Sequence, residues 1–278
     1  MYELPEPQQE FELLERDFEK LTTIVKERAG IVLNDRKRAL VYSRLSRRLR
    51  ALNFNAFSEY CAYLDSGTGE EEFRLLVNAI TTNLTGFFRE PHHFEFLTKE
   101  STALLASGRA SKLRIWSAGC SSGEEPYSIA MTVRKAAGEQ SRHDIKVLAT
   151  DIDTDMVATA KAGRYLTEKT DPIPEVLRRS YVRSVDGTTS EIAPAIKSMI
   201  TFNQLNLLEP WPMKGPFDFI FCRNVIIYFD TETKTILFDR FADILRPGGW
   251  MVIGHSENLF RISNRFRLIG KTVYQRIS

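Results

Sequence analysis

From Lys112 to the end of the chain, short apolar runs alternate with helical stretches, and this alternation narrows the fold more than any other feature. Strand, crossover helix and returning strand build a parallel sheet with helices on its faces. "KLRIWSA" (112–118) reads as the first strand and "EEPYSIAMTVRKAA" (124–137) as its helix. "IKVLAT" (145–150) is the second strand, followed by a helix that Asp153 or Thr154 can cap and that ends near Gly163. "MITFN" (199–203), "FDFIFCR" (217–223) and "WMVIGH" (250–255) are later strands, and "TETKTILFDRFADIL" (231–245) is a helix stopped by Pro247, Gly248 and Gly249. "FRLIG" and "TVYQRI" close the chain as an antiparallel pair. The expected class is α/β, with a mostly parallel sheet.

The first ninety residues keep a helical rhythm instead. Phe11, Leu14, Phe18 and Leu21 recur at three- and four-residue steps, as do Val41, Leu45, Leu49 and Leu52, then Phe73, Leu76 and Ile80. Two domains are expected, a helical one over 1–90 and the sheet domain over 91–278. Residues 164–198 are long for a crossover between the second and third strands and are expected to form a small insertion.

Composition removes several function classes. A net charge of +2 does not mark the whole chain as a polyanion binder, and 43% hydrophobic residues suffice for a packed core. Cys61, Cys120 and Cys222 are odd in number and lack C-x-x-C spacing, and His92, His93, His143 and His255 show no metal-ligand spacing. No apolar run nears the ~20 residues that span a bilayer, and the start of the chain is acidic where a signal peptide is basic. The expectations are a cytoplasmic protein with no metal and no direct membrane insertion.

The stretch "AGCSSGEEPYS" (118–128) points to a ligand. A small-residue turn opening a helix usually cradles phosphate, yet Glu124 and Glu125 stand where the phosphate would go and would repel it. They suit a ligand that carries an ammonium group, such as S-adenosylmethionine (SAM), although they also complement a helix N-terminus. At the end of the second strand, Asp151 has the two acceptor oxygens that a pair of ribose hydroxyls needs. After the third strand, Asn206 is placed to hydrogen-bond adenine or ribose and Leu207 to pack on the base. "FCRNVIIYFD", after the fourth, lies beside the transferred group.

Six ordered blocks carry a family resemblance: "TTNLTGFFREPHHF", "RIWSAGCSSGEEPYSIAM", "ATDIDTDM", "NLLEP", "PFDFIFCRNVIIYFD" and "GHSENL". From about Phe18 to Val273 the chain resembles the chemotaxis receptor glutamate O-methyltransferases, the CheR family. The resemblance implies a helical N-terminal domain, a Rossmann-like SAM-dependent methyltransferase domain, and methylation of glutamates on the cytoplasmic helices of chemoreceptors. It further implies cofactor contacts at Asn83, Thr85, Arg89, one of Glu124 and Glu125 (Glu125 being favoured), Asp151, Asn206, Leu207, Arg223 and Asn224. Arg89 and Tyr228 are the implied candidates for the reaction centre, Arg89 alternatively pairing with Glu90 and Tyr228 alternatively packing at a strand end. Where family members that dock on a receptor's terminal peptide have a Gly-rich loop, this chain has a shorter segment with Gly187 alone, so direct recognition of the methylated helices is expected.

A glutamate side chain is already ionised at neutral pH, which suits a sequence with no triad or paired carboxylates. Partner recognition is expected from "NDRKRALVYSRLSRRLR" (34–50), where Arg36, Lys37, Arg44, Arg47, Arg48 and Arg50 share one face of a helical wheel beside an apolar stripe. The expected protein is a monomer that releases S-adenosylhomocysteine and binds no nucleic acid. The alternatives are a SAM-dependent nucleic-acid methyltransferase, which the missing aromatic residues among those arginines disfavour, and a non-catalytic SAM-binding signalling module.

Overall fold

The computed structural model describes residues 10–66, 68–107, 112–138 and 142–278. The chain divides into two compact units, Met1–Thr82 and Asn83–Ser278. The first is helical: α1 (Glu15–Ala29), α2 (Arg38–Leu52), α3 (Phe57–Asp65) and α4 (Glu70–Ile80), with a 3-10 turn at Asp35–Lys37 ahead of α2. Leu21, Val25, Val41, Leu45, Leu49, Phe57, Tyr60 and Leu76 fill its core, and of these Leu21, Val41, Leu45, Leu49 and Leu76 are the ones the three- and four-step spacing selects. Phe11 and Leu14 continue that spacing but precede α1, whose first residue is Glu15; Phe11 is nonetheless buried. Arg36 and Lys37 likewise lie in the 3-10 turn, outside the α2 register.

The second unit runs α5 (Pro91–Ala106), β1 (Lys112–Ala118), α6 (Glu124–Ala137), β2 (Asp144–Asp151), α7 (Thr154–Ala162), β3 (Arg164–Leu166), α8 (Glu175–Tyr181), β4 (Val182–Ser184), β5 (Thr189–Ile192), α9 (Pro194–Lys197), β6 (Ile200–Gln204), β7 (Phe217–Cys222), α10 (Thr231–Ile244), β8 (Leu245–Ile253), β9 (Phe266–Gly270) and β10 (Val273–Arg276). Seven strands form one sheet in the order β6-β2-β1-β7-β8-β10-β9, parallel except where β10 meets β8 and β9. Both faces are covered: Ile115, Phe219 and Phe221 point into one apolar layer, and Trp116, Ile220 and Cys222 into the other. That two-sided burial is why these strands read as mainly apolar runs without strict alternation.

Residues 164–198 form the small insertion, an antiparallel sheet in the order β3-β5-β4 with α8 and α9 beside it. Among the boundaries that differ from the sequence expectation, two have a clear structural cause. Residues 83–90 belong to the sheet unit, because Asn83 donates to Asp153 (2.7 Å), the Phe88 amide donates to Ser128 Oγ (3.0 Å) and buried Phe87 packs on Tyr165. Helix α10 ends at Ile244, ahead of Pro247, because fully buried Leu245 already pairs with Phe217 as the start of β8.

Candidate active site

The crevice of an open parallel sheet lies beyond the carboxyl ends of its strands, where β1, β2, β6 and β7 deliver the turns singled out above. After β1 the chain bends through Gly119 (φ 97°), Ser121 (φ 47°) and Gly123 (φ 99°), the left-handed region that glycine enters freely. The amides of Gly119 and Cys120 donate to the Thr150 carbonyl at 2.8 and 2.9 Å, tying the turn to β2. A Cβ on Gly119 would lie 2.2 Å from Val225 Cγ2, and one on Gly123 2.8 Å from Ala160 Cβ. These glycines therefore serve close packing inside the protein as well as the turn itself.

Asp151 sits at the end of β2, 9% exposed, with its Oδ2 accepting from the Ser121 amide (2.7 Å) and its Oδ1 from the Asp153 amide (2.9 Å). One lone pair is used on each oxygen, so each can accept once more. Burial pushes the carboxyl up to about 6, against the pull of those amides. Asp153 caps α7 through the amides of Asp155 and Met156 and accepts from Asn83, whose carbonyl in turn accepts from Ser121 Oγ. Asn83 thus ties the entry to the sheet unit to the glycine turn.

The two glutamates behave differently from the expectation. Glu125 accepts from Ser117 Oγ (2.7 Å) and from the Arg223 guanidinium (2.9 Å), so its charge is already neutralised inside the protein. Glu124 is buried and accepts from Ser122 Oγ at 2.7 Å. Arg223 also donates to the Arg89 carbonyl (2.6 Å) and lies 3.4 Å from Glu90. The Arg89 side chain donates to the Leu84 carbonyl (2.9 Å), and it is Arg223 that meets Glu90.

Thr85 is half-buried within the Asn83–Arg89 stretch. Asn206 uses its side chain locally, accepting from the Leu208 amide and donating to Glu209. Leu207 is only 7% exposed and packs in the layer that holds Trp116, so most of its surface serves the core. Asn224 has φ 58°, and its amide donates to Glu257 Oε2 (3.0 Å), which also accepts from the Gly254 amide (2.6 Å). Tyr228 ends the 3-10 turn Ile226–Tyr228 and packs half-buried against the same apolar layer.

Three residues were given no place in the site by the sequence, Glu90 having entered only as an alternative partner of Arg89. Glu257 is a buried carboxylate that joins the turns after β7 and β8, and burial raises its pKa. Glu90 has φ 60° and accepts from His255 Nδ1 at 3.0 Å. Burial raises Glu90, but Arg223 and His255 outweigh it and hold the carboxyl below its usual range. Tyr165 donates from the insertion to Ser122. Glu257 and Glu90 carry a weak sequence signal, a lone acid inside the block after β8 and inside the block before α5 respectively.

Folding brings ligand atoms of Glu90, His92 and His93 within 4.8 Å of one another, a proximity that their spacing in sequence does not display. His93 is wholly buried, its Nε2 lies 3.1 Å from the Lys271 carbonyl, and burial together with Arg223 lowers its pKa to about 4. The guanidinium beside Glu90 already supplies positive charge there.

In the helical unit the basic residues are largely engaged. Arg48 forms a two-pronged pair with buried Glu72 (2.9 and 2.6 Å), which Tyr60 also contacts. Arg44 donates to the carbonyls of Ala79 and Thr81 at the end of α4. Arg50 pairs with Glu10, and Lys37 donates to Val32. Among the described residues, Arg36 and Arg47 are exposed and in no ion pair. The expected cationic face is thus reduced.

An open sheet with a reversed final hairpin, a glycine turn after β1 and a buried carboxylate ending β2 describes a SAM-dependent methyltransferase domain. Residues 83–275 match the family model described as CheR methyltransferase, SAM binding domain, and residues 16–81 match CheR methyltransferase, all-alpha domain. The chain belongs to the CheR methyltransferase family. It is 43% identical over 270 residues to chemotaxis protein methyltransferase 2 of Pseudomonas aeruginosa, covering 96% of this chain and 95% of the relative. It is 41% identical over 267 residues to the chemotaxis protein methyltransferase of Escherichia coli, covering 94% and 91%.

Proposed function

We propose that this protein transfers the methyl group of SAM to glutamate side chains on the cytoplasmic helices of chemoreceptors. The observation that carries this is similarity along nearly the whole chain, through both units, to proteins named chemotaxis protein methyltransferases. It acts as a cytoplasmic monomer, without metal and without nucleic acid as substrate. Its functional division follows the two units, receptor recognition in the helical one and methyl transfer in the other.

The residues present fit SAM at Asp151, whose oxygens are held by two backbone amides and keep acceptor capacity for ribose hydroxyls. Asn83, Thr85, Asn206, Leu207 and Asn224 are the further cofactor contacts of this proposal. Glu124 and Glu125 set the acidic character of the turn, with Glu125 acting through Arg223. SAM, when bound, supplies an electrophilic methyl group on its sulfonium and leaves as S-adenosylhomocysteine. Arg89 orients the target carboxylate through its fork of donors, and Tyr228 closes the pocket at the end of its turn. No group need remove a proton, because the glutamate is already ionised. The residues act by alignment and by excluding water from the nucleophilic oxygen.

The test is transfer of labelled methyl from SAM to receptor cytoplasmic domains, with receptors whose target glutamates are replaced by alanine as controls. Label that depends on those glutamates is the expected result. Label on nucleic acid, or SAM binding without any transfer, would overturn the proposal in favour of the two alternatives.

A further inference from the structure

Arg223 is the most enclosed cation of the site, its side chain 3% exposed. It follows β7 directly and joins two segments far apart in sequence. One of its terminal nitrogens donates to Glu125 at the start of α6, and the other donates to the Arg89 carbonyl and lies 3.4 Å from Glu90. Glu90 is held on its other side by His255, whose Nδ1 is 3.0 Å away and whose amide is 3.4 Å away. It also lies 3.4 Å from the buried His93. The backbone at Glu90 takes φ 60°, a left-handed conformation uncommon for a glutamate, immediately before Pro91 opens α5. The loop carrying Arg89 is thus fixed by one guanidinium and one strained carboxylate residue.

A guanidinium with both arms on protein acceptors has its charge balanced by Glu125 and Glu90 rather than offered to a ligand. We propose that Arg223 and Glu90 are positioning residues: they lock the Arg89 backbone onto the helix that the glycine turn opens, and so fix where the Arg89 side chain meets the substrate carboxylate. This deepens the receptor-methylation proposal and rests on it. It assigns a role to Glu90, and it moves Arg223 from a cofactor contact to a support for the reaction centre.

The experiment uses the full chain with Glu90→Gln, Glu90→Asp, Arg223→Lys, Arg89→Lys, and Arg89→Lys combined with Glu90→Gln. S-adenosylhomocysteine binding is measured by calorimetry, and kcat and KM are measured on receptor fragments. Glu90→Gln and Arg223→Lys are expected to lower kcat about 10- to 100-fold, the scale of a small misalignment, with the calorimetric Kd changed less than about threefold. Glu90→Asp is expected to restore part of the loss. In the Arg89→Lys background the Glu90→Gln loss should shrink to a few-fold, because residues acting through one another are not additive. A purely structural role would leave that coupling absent, and full multiplicative losses in the double variant overturn the proposal. So does an unchanged kcat, or a weakened Kd with kcat intact, which would return Arg223 to the cofactor. A wild-type protein that binds S-adenosylhomocysteine but methylates no receptor defeats the proposed function instead, whereas wild-type turnover with unaffected variants defeats this inference alone.

Discussion

Tyr165, in the first strand of the insertion, donates its hydroxyl to the Ser122 carbonyl at 2.7 Å, and the Tyr165 hydroxyl oxygen would lie only 2.9 Å from a Cβ on Gly123. Tyr165 is buried, its ring stands edge-on to Phe87, and burial raises its hydroxyl pKa. The small three-stranded sheet is therefore fastened to the turn that opens α6.

Removing that hydroxyl with Tyr165→Phe leaves the Ser122 carbonyl buried without its partner, a loss of about 1–3 kcal/mol. The expected outcome is a melting temperature lower by about 2–8 °C together with a weaker Kd for SAM, since the turn loosens on its ligand side. Thermal melts and calorimetry check both. A variant that melts early yet binds SAM with unchanged affinity would show that the insertion supports the fold alone.

Asp151 gives a pH dependence with a definite sign. Its folded-state pKa of about 6 is raised by burial above the ordinary carboxyl value, so this group disfavours the folded state increasingly as pH rises from about 4 to 6. Ribose hydroxyls donate best to the ionised form and so lower the pKa of the complex. SAM affinity is expected to fall as pH drops below about 6, and binding near pH 6 should release protons. Asp151→Asn should weaken SAM about 10- to 100-fold at pH 7.5, the scale of a charged hydrogen bond, and flatten the profile. Calorimetry in two buffers of different ionisation enthalpy measures the proton release, and equal affinities at pH 5.5 and 7.5 would count against the assignment.

Local signals carried most of the fold into the sequence. The span 124–137 is the full length of α6, because Gly123 and Gly138 both take positive φ at its ends. The buried faces of β7 were legible as an apolar run interrupted only at Asp218. What stayed hidden depends on contacts between distant segments. Glu125 and Arg223 are 98 positions apart, so a glutamate expected to face a ligand could not be seen to have an internal partner. Glu257 was equally hidden, since a carboxylate receiving amides from two separate turns leaves no periodic trace. On the helical wheel Arg48 and Arg47 look alike, and only the packing of α2 on α4 separates the half-buried partner of Glu72 from an exposed cation.

That separation decides how receptor docking is tested. Arg48→Ala strands the Glu72 carboxylate, 4% exposed, and is expected to lower stability by about 3 kcal/mol, so its loss of activity would say nothing about docking. Arg36→Glu with Arg47→Glu should leave the melting temperature nearly unchanged. The same pair should slow methylation of receptor fragments several-fold at low salt, with the difference from wild type shrinking as salt rises. Initial rates across a salt series check this, and identical rates for the pair and wild type at every salt concentration would remove the basic face from the docking account.

The turn between β4 and β5 bears on how the receptor is approached. Val185 donates to the Thr189 carbonyl at 2.8 Å, closing the hairpin. Asp186 Oδ1 accepts from the amides of Thr188 (3.0 Å) and Thr189 (2.7 Å) and from the Thr188 hydroxyl (2.9 Å), which draws down the Asp186 pKa. Gly187 supplies the positive φ that so short a turn needs, and the side-chain bonds leave it little freedom to open around a ligand. A peptide copying a receptor's C-terminus is therefore expected to bind this protein with a Kd weaker than about 1 mM, or about −4 kcal/mol. Receptor fragments with and without that terminus should be methylated at equal rates. Titration calorimetry with the free peptide gives the first quantity and steady-state assays the second. Micromolar peptide binding, abolished by substitutions in 182–192, would show that the short hairpin still holds a tether.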